Sequence, residues 1–129
     1  DDVAGLDAGM GHNTWPLMDG KLVPDGLFVL SPAWRNLFEN AMTVQFNHRI
    51  IAYLIVVVAV AYAYLQRTRE AVIVVFAVLL QVAIGIWTLL AQVPLSWGLI
   101  HQGGALFVLA AALWNLHTVL RRSPVPDRQ

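Results

Sequence analysis

Two histidines in apolar surroundings are the residues of this sequence best suited to chemistry. His48 and His101 each lie near one end of a long apolar stretch, and neither stretch contains Asp, Glu, Lys or Cys. Polar side chains within apolar spans usually face the interior of a helix bundle and mark function. Two neutral imidazoles that face each other across a bundle are the usual axial ligands of a b-type haem. The sequence therefore predicts a haem whose iron is bound by His48 and His101.

The same two histidines are expected at matched depth. His48 lies about 17 residues from the inner end of its stretch and His101 about 19, which corresponds to about 26 Å and about 28 Å along a helix. The small residues 103–105 would let a flat macrocycle approach the backbone, so Gly104 is a candidate cofactor-binding residue. Arg49 is a candidate partner for a haem propionate, and snorkelling of its side chain to the interface is the alternative.

Two other interpretations of the histidine pair stay open. The first is a pair of separately hydrogen-bonded interfacial histidines without a cofactor. The second is a zinc or copper site, which is disfavoured because it would need three or more ligands and the spans contain no Cys, Asp or Glu. His12 is expected to be a solvated loop residue. His117 is about 160° round the helix from His101 and is expected to face another way, near the inner surface.

The elements that position these residues are predicted to be membrane-spanning helices. Hydrophobic residues make up 58% of the 129 residues and charged residues 12%, about half of the roughly 25% usual in soluble proteins. No charged residue occurs from Ala71 to Leu120. A span needs about 20 apolar residues, so we expect three helices, from about 43 to 65, 71 to 92 and 97 to 120. Pro94 separates the last two.

Composition also narrows the class of protein. Buried helices of a soluble protein are disfavoured because none of the three stretches has a charged face. The chain contains no cysteine, which excludes disulfides, thiolate metal sites and cysteine nucleophiles. The formal net charge is zero, so no bulk charge argues for nucleic acid as a partner. The sequence starts without Met or a basic segment, so we see no signal peptide and expect a piece of a longer chain.

The sequence divides into three parts. Residues 1–42 are predicted to be an outer loop, residues 43–122 the transmembrane bundle, and residues 123–129 an inner tail. Basic residues are expected on the cytoplasmic or matrix side of a membrane. Basic residues follow the first and the third predicted spans. Because the chain crosses the membrane twice between these positions, both lie on the same side, which is therefore predicted to be the inner face. The residues concerned are Arg67, Arg69, Arg121 and Arg122.

The outer loop is predicted to contain one short amphipathic helix. Ser31 and Pro32 are typical of a helix start, with Ser as N-cap and Pro in the first position. Trp34, Leu37 and Phe38 would then share one side of the helix. That side is expected to lie at the membrane surface, either as a lid over the bundle or as an anchor alone.

The second span carries a polar stripe at helical spacing, formed by Gln81, Gly85, Thr88 and Gln92. This spacing places the four residues on one face, turned towards the bundle. Helix packing and interhelical hydrogen bonds explain such a stripe, and contact with the edge of a cofactor is the alternative.

Several blocks of the sequence, taken together and in order, resemble the second half of haem A synthase, from Val3 to about Trp114. The blocks are Gly5–Gly9, Asn13–Met18, Phe38–Asn40, Val44–Arg49, Gln81–Leu90, Val93–Pro94 and His101–Gln102. The resemblance implies an eight-helix protein made of two four-helix halves, each with a histidine pair. It implies that His48 and His101 bind a b haem. The fourth helix of this half, whose outer end would be Val3–Gly5, and the whole first half are missing here.

The resemblance also implies an activity for the parent protein, the oxidation of a ring methyl of haem O to the formyl group of haem A. The acidic residue thought to matter for catalysis belongs to the first half of the family. The matching position here is Gln45, a neutral amide, so we expect the catalytic residues in the missing half and no activity from this piece alone. A bis-histidine haem has both axial positions filled and passes single electrons. The haem b of this half is therefore expected to relay electrons and to stabilise the fold.

The resemblance further implies a multi-pass protein of the bacterial plasma membrane or the mitochondrial inner membrane. The expected partners are membrane lipid, the missing N-terminal half, and haem O synthase or cytochrome oxidase assembly factors, with a second copy of the chain as a further candidate. Two other functions stay open. One is an electron-transfer cytochrome b without chemistry on its haem, and the other is a structural or assembly subunit of a respiratory complex.

Overall fold

Three long helices dominate the computed structural model, which describes residues 11–122. A 3₁₀ turn, Ala33–Arg35, leads into the short helix α1 (Asn36–Glu39). The long helices are α2 (Ala41–Gln66), α3 (Arg69–Leu90) and α4 (Leu95–Arg122), and each is long and apolar enough to cross a membrane. The predicted all-α transmembrane bundle with three spans is thereby confirmed. The Val3–Gly5 region and the predicted inner tail, 123–129, lie outside the described residues.

Local capping explains the bounds of α2. The Asn40 side chain accepts hydrogen bonds from the backbone N–H groups of Met42 and Thr43, at 3.0 and 3.2 Å, and so satisfies donors that have no partner inside the helix. At the other end Arg67 takes up a left-handed conformation, with φ of 52°. Its N–H donates to the Ala63 carbonyl oxygen, which closes the last turn.

The turn between α3 and α4 has the predicted length of four residues but lies two residues earlier in the chain than predicted. Helix α3 ends at Leu90 rather than residue 92, and α4 begins at Leu95 rather than 97. Gln92 and Val93 have φ values of 63° and 52°, a conformation that no helix continues through. Pro94 then fixes the exit from the turn.

The predicted capping of the short outer helix by Ser31 is wrong. The cap position is occupied by Pro32, and no side chain caps this turn. The segment is held instead by Asn36, which is fully buried. Its side chain accepts from the Leu30 N–H and donates to the carbonyl oxygens of Leu30 and Ala33, each at 2.9 Å. The apolar side chains of the predicted interfacial face, Trp34, Leu37 and Phe38, are exposed.

Helix α3 is the centre of the bundle, because it packs against both α2 and α4. Its buried residues are small or medium-sized, Ala71, Ala77, Val78 and Thr88, and small residues let helix backbones approach closely in a membrane. The start of α3 and the end of α4 meet, since Arg122 donates to Glu70 at 2.7 Å. The basic residues after α2 and at the end of α4 therefore share one face. Which side of a membrane that face meets stays a prediction.

The outer segment folds back onto the outer end of α2. The Trp15 indole N–H donates to the Tyr53 hydroxyl at 3.1 Å, and the Asn40 amide donates to the Gly26 carbonyl at 2.9 Å. Met18 is 2% exposed and is the largest apolar side chain of this segment to be buried. These contacts place residues 12–40 as a cap over the same end of the bundle that carries His48.

An ion pair stabilises the short outer helix itself. The Arg35 guanidinium donates to the Glu39 carboxylate, and this hydrogen bond holds the pKa of Glu39 below its ordinary value. Both groups are exposed, so the pair adds little to the free energy of unfolding.

Candidate cofactor site

The structure brings the two predicted iron ligands together at the outer end of the bundle. The imidazole centroids of His48 on α2 and His101 on α4 are 6.2 Å apart, and the rings meet edge to face at 70°. His101 is half-buried, whereas His48 is exposed. The two rings therefore form a pair that bridges α2 and α4.

The separation of these rings fits a shared iron. A metal–imidazole bond is about 2.0–2.1 Å long, so two nitrogen atoms on opposite sides of one metal lie about 4 Å apart. Adding about 1 Å from each nitrogen to its ring centre places the centroids about 6 Å apart. The observed 6.2 Å matches this separation. The distance between the rings, taken by itself, therefore allows one metal between them.

The His101 ring packs directly against the backbone of α3 at Gly85. A Cβ atom built at Gly85 would lie 2.7 Å from His101 Cε1, 3.2 Å from Nδ1 and 3.3 Å from Nε2. The ring therefore lies flush against the backbone of α3. Any side chain at position 85 would require the imidazole to move away from the backbone of α3.

Gln81, one turn inward from Gly85, holds the same histidine by polar contacts. Its amide nitrogen donates to the His101 carbonyl oxygen at 2.6 Å and lies 3.2 Å from His101 Nδ1. The Gln81 Oε1 atom is buried and has no hydrogen-bond partner. This atom occupies the space where a Cβ of Gly104 would stand. In this structure Gly104 thus accommodates Gln81, and its predicted contact with a macrocycle stays a prediction.

Arg49 lies beside the site and holds the outer segment. Its guanidinium donates to the His12 carbonyl oxygen at 3.0 Å and to Gln45 Oε1 at 3.3 Å. The Arg49 Nε atom is buried and has no partner. The side chain also lines an outer cavity of about 440 Å³. One donor of Arg49 is therefore available to an acidic group such as a propionate, although its terminal nitrogens already bind the loop.

A second cavity begins below the histidine pair and runs inward between the three helices. It has a volume of about 520 Å³ and an almost entirely apolar lining, with Ile51 of α2, Val78 of α3 and Val108 of α4 among its residues. Cofactor pockets usually measure about 300–1,000 Å³ and are mostly apolar. We call this space the inner cleft. It provides apolar surface one turn or more inward of the histidines.

The other two histidines lie apart from the pair. His12 is bound to the Asp19 carboxylate at 2.6 Å, so it is a paired loop residue rather than a simply solvated one. His117 is exposed on α4. Within residues 11–122 no three His, Cys, Asp or Glu side chains form a group that could hold a metal ion. A metal at His48 and His101 would therefore need further ligands, such as the four nitrogens of a porphyrin.

Thr88 belongs to the packing of the polar stripe. Its hydroxyl donates to the Ile84 carbonyl at 2.8 Å and lies 3.3 Å from the Trp97 carbonyl across the turn. The stripe therefore has the predicted packing role, since Thr88 joins α3 to α4, while contact of the stripe with the edge of a cofactor stays a prediction.

Comparison with known proteins identifies the group to which this fold and this histidine pair belong. Residues 2–113 match the COX15-CtaA family, which is described as cytochrome oxidase assembly protein. The chain belongs to this family. Among curated relatives, "Heme A synthase" of Rhizobium meliloti (strain 1021) is 55% identical over 119 residues, which cover 86% of this chain and 32% of the relative. "Heme A synthase" of Sinorhizobium fredii (strain NBRC 101917 / NGR234) is 48% identical over 132 residues, 96% of this chain and 36% of the relative.

The chain thus spans about a third of the length of the curated relatives it matches. No solved structure matches it. The resemblance to haem A synthase that the sequence blocks indicated is confirmed by the family and by these relatives. Membership of this family and the three apolar helices also establish a multi-pass membrane protein.

Proposed function

We propose that this chain is part of a haem A synthase and that its His48 and His101 bind the iron of a haem b. The observation that carries the proposal is the pair of imidazoles 6.2 Å apart between two spanning helices. Membership of the cytochrome oxidase assembly family and relatives named "Heme A synthase" support the reaction, the oxidation of a ring methyl of haem O to the formyl group of haem A.

In this proposal the chain supplies binding and orientation rather than acid–base chemistry. His48 and His101 would hold the haem iron, and a haem held by two histidines would supply the exchange of single electrons. Gly85 fixes the position of the His101 ring. The Arg49 Nε donor binds a propionate, and the inner cleft takes apolar surface of the macrocycle. His48 on α2 and His101 on α4 would thereby be joined through the haem, which would supply electron relay.

The methyl oxidation itself belongs to the part of the protein outside this chain. The residue next to the site that corresponds to the family acid is Gln45, which is buried and accepts a hydrogen bond from Arg49. A neutral amide in this position cannot act as a general base. We place the catalytic residues in the N-terminal half, with that half, membrane lipid and haem O synthase or oxidase assembly factors as partners.

The test of this proposal is the product made by the intact protein. His48→Ala and His101→Ala variants are produced in cells that make haem O, and the haems of the membranes are extracted and identified. We expect haem A with the wild-type protein and its loss with either variant. The matched control is His117→Ala, which removes an exposed histidine of the span that carries His101. We expect this variant to retain haem A.

Two results would overturn the proposal. Haem A formation that persists in both variants would show that the pair is dispensable. A bound haem b without any haem A from the wild-type protein would instead favour an electron-transfer cytochrome.

A further inference from the structure

We propose that Gln81 is a positioning residue that selects the ring nitrogen of His101 on which the hydrogen sits, and thereby tunes the haem. This inference rests on the proposed function, since it concerns how His101 binds iron. The observation behind it is the amide group of Gln81, which faces both the carbonyl oxygen and Nδ1 of His101 while its own oxygen has no partner.

The described arrangement favours one tautomer of His101. The Gln81 nitrogen is a donor only, and it lies 3.2 Å from Nδ1. A ring nitrogen that accepts a hydrogen bond carries no hydrogen, so the hydrogen of a neutral imidazole then sits on Nε2. In this tautomer Nε2 has no free lone pair and cannot bind a metal.

Binding of iron through Nε2 requires the opposite tautomer. Metal-binding histidines almost always donate their other ring N–H to an acceptor. The only polar side chain that the structure shows within hydrogen-bond distance of His101 Nδ1, among the described residues, is Gln81. Half a turn of its amide group exchanges the nitrogen and the unpartnered Oε1 and offers Nδ1–H an acceptor. The Gln81 side chain must shift as it turns, because its Oε1 atom would otherwise take the place of the nitrogen at 2.6 Å from the His101 carbonyl oxygen, and two acceptors repel at that distance.

The packing around Gln81 brings its amide group next to the imidazole of His101. Gly104 leaves the space in which the buried end of the amide lies, and Gly85 holds the imidazole against α3, at 2.7 Å from a Cβ position. The imidazole is therefore held against α3, while the amide end of Gln81 lies against the α4 backbone at Gly104. Gly85 on α3 and Gly104 on α4 thus allow the Gln81 amide to lie beside the His101 imidazole. Packing between the two helices alone does not require this arrangement.

The experiment compares two near-isosteric variants of the intact purified protein, Gln81→Met and Gln81→Glu. Met removes both polar atoms, and Glu offers acceptor oxygens without the amide donor. We measure the affinity for added ferric haem, the affinity for ferrous haem and the midpoint potential of the bound haem b. Gln66→Met and Gln66→Glu, at the exposed inner end of α2, are the matched controls.

Opposite effects of the two variants are expected. Gln81→Met loses the acceptor and should bind haem about 10–100-fold more weakly. Gln81→Glu should keep haem and bind the ferric form relatively more tightly, because a charged acceptor strengthens the N–H bond and the donor power of the ring. A change on the order of tenfold in the ratio of ferric to ferrous affinity lowers the potential by about 59 mV for a one-electron couple. The Gln66 variants should match the wild type.

The outcomes separate this inference from the proposed function. Haem b in the wild type, with unchanged affinity and potential in both Gln81 variants, would overturn the role of Gln81 alone. Equal loss of haem from both variants would also overturn it, because a structural requirement for Gln81 does not distinguish Glu from Met. Absence of haem b from the wild type would overturn the proposed function and, with it, this inference.

Discussion

The most informative single change in this chain is Gly85→Ala, because the structure predicts its effect in sign and size. Alanine is more favourable than glycine inside a helix by about 0.8–1.0 kcal/mol, so on helix propensity alone the variant would be more stable. The added methyl group, however, stands 2.7 Å from His101 Cε1. Since an ordinary contact begins at 3.4 Å, the imidazole must retreat by about 0.7 Å.

This displacement is large for a metal ligand. Binding sites need their side chains within about 0.5 Å of the productive position, and loss of support for a metal-binding histidine typically lowers metal affinity by about 10–100-fold. That range corresponds to about 1.4–2.8 kcal/mol, comparable with the cost of overpacking a core, about 1–3 kcal/mol. We therefore expect haem affinity to fall by about one to two orders of magnitude while the helices stay intact.

The assay is a titration of haem into the purified apoprotein, with helix content followed by circular dichroism. Gly98→Ala is the matched control, since a Cβ at Gly98 meets no atom within 4 Å, and its haem affinity should equal that of the wild type. A Gly85→Ala variant that binds haem as tightly as the wild type would refute the reasoning, because haem binding by His101 would then not depend on the packing of its ring against α3 at Gly85.

Three further changes have predictable results. Gly104→Ala displaces the flexible end of Gln81, so the fold should survive while haem affinity falls as in Gln81→Met, which the same haem titration checks. Tyr62→Phe removes the 2.8 Å hydrogen bond from the Asn115 amide, and a double-mutant cycle with Asn115→Ala in thermal unfolding should give a coupling of about 0.6 kcal/mol and at most about 1.7 kcal/mol. Zero coupling would contradict the described contact between α2 and α4. Asn40→Ala removes the cap of α2 and should lower the free energy of unfolding by about 1 kcal/mol, whereas unchanged stability would show that the outer segment caps the helix without Asn40.

The three spans and the meeting of the two histidines could be predicted from the sequence. Apolar length determines how many helices cross a membrane, and the similar distances of His48 and His101 from the inner ends determine their depth. Both arguments depend on properties counted along one helix at a time. Whether the two rings face each other also depends on helix rotation, and for this the sequence offered the rule that polar side chains in a span turn to the bundle interior.

The packing of the His101 ring against α3 could not be predicted in the same way. The stripe that contains Gln81 and Gly85 was visible at helical spacing, but its contact with His101 depends on the rotation of α3 against α4 to within an ångström. Gly104 shows the same limit, since a small residue beside His101 has equal reason to face a macrocycle or a neighbouring amide. Only the packed helices show that the neighbour of Gly104 is Gln81.

The outer segment shows how a tertiary contact overrides a local signal. Ser31 followed by Pro32 is a favourable helix start by composition, yet the chain is held by the buried side chain of Asn36. Its three bonds to the backbone of Leu30 and Ala33 satisfy polar groups that a serine cap alone would leave unpaired. A local rule cannot anticipate this, because it depends on how residues 12–40 fold over α2.

The measurement that tests the central claim most directly is a reduced-minus-oxidised spectrum of the purified protein, with a pyridine haem assay, beside a His101→Ala variant. The account predicts a b-type spectrum in the wild type and its loss in the variant, because the 6.2 Å pair then lacks one of its two ligands. A b-type spectrum of equal intensity and shape in the variant would contradict the assignment of His101 as an iron ligand.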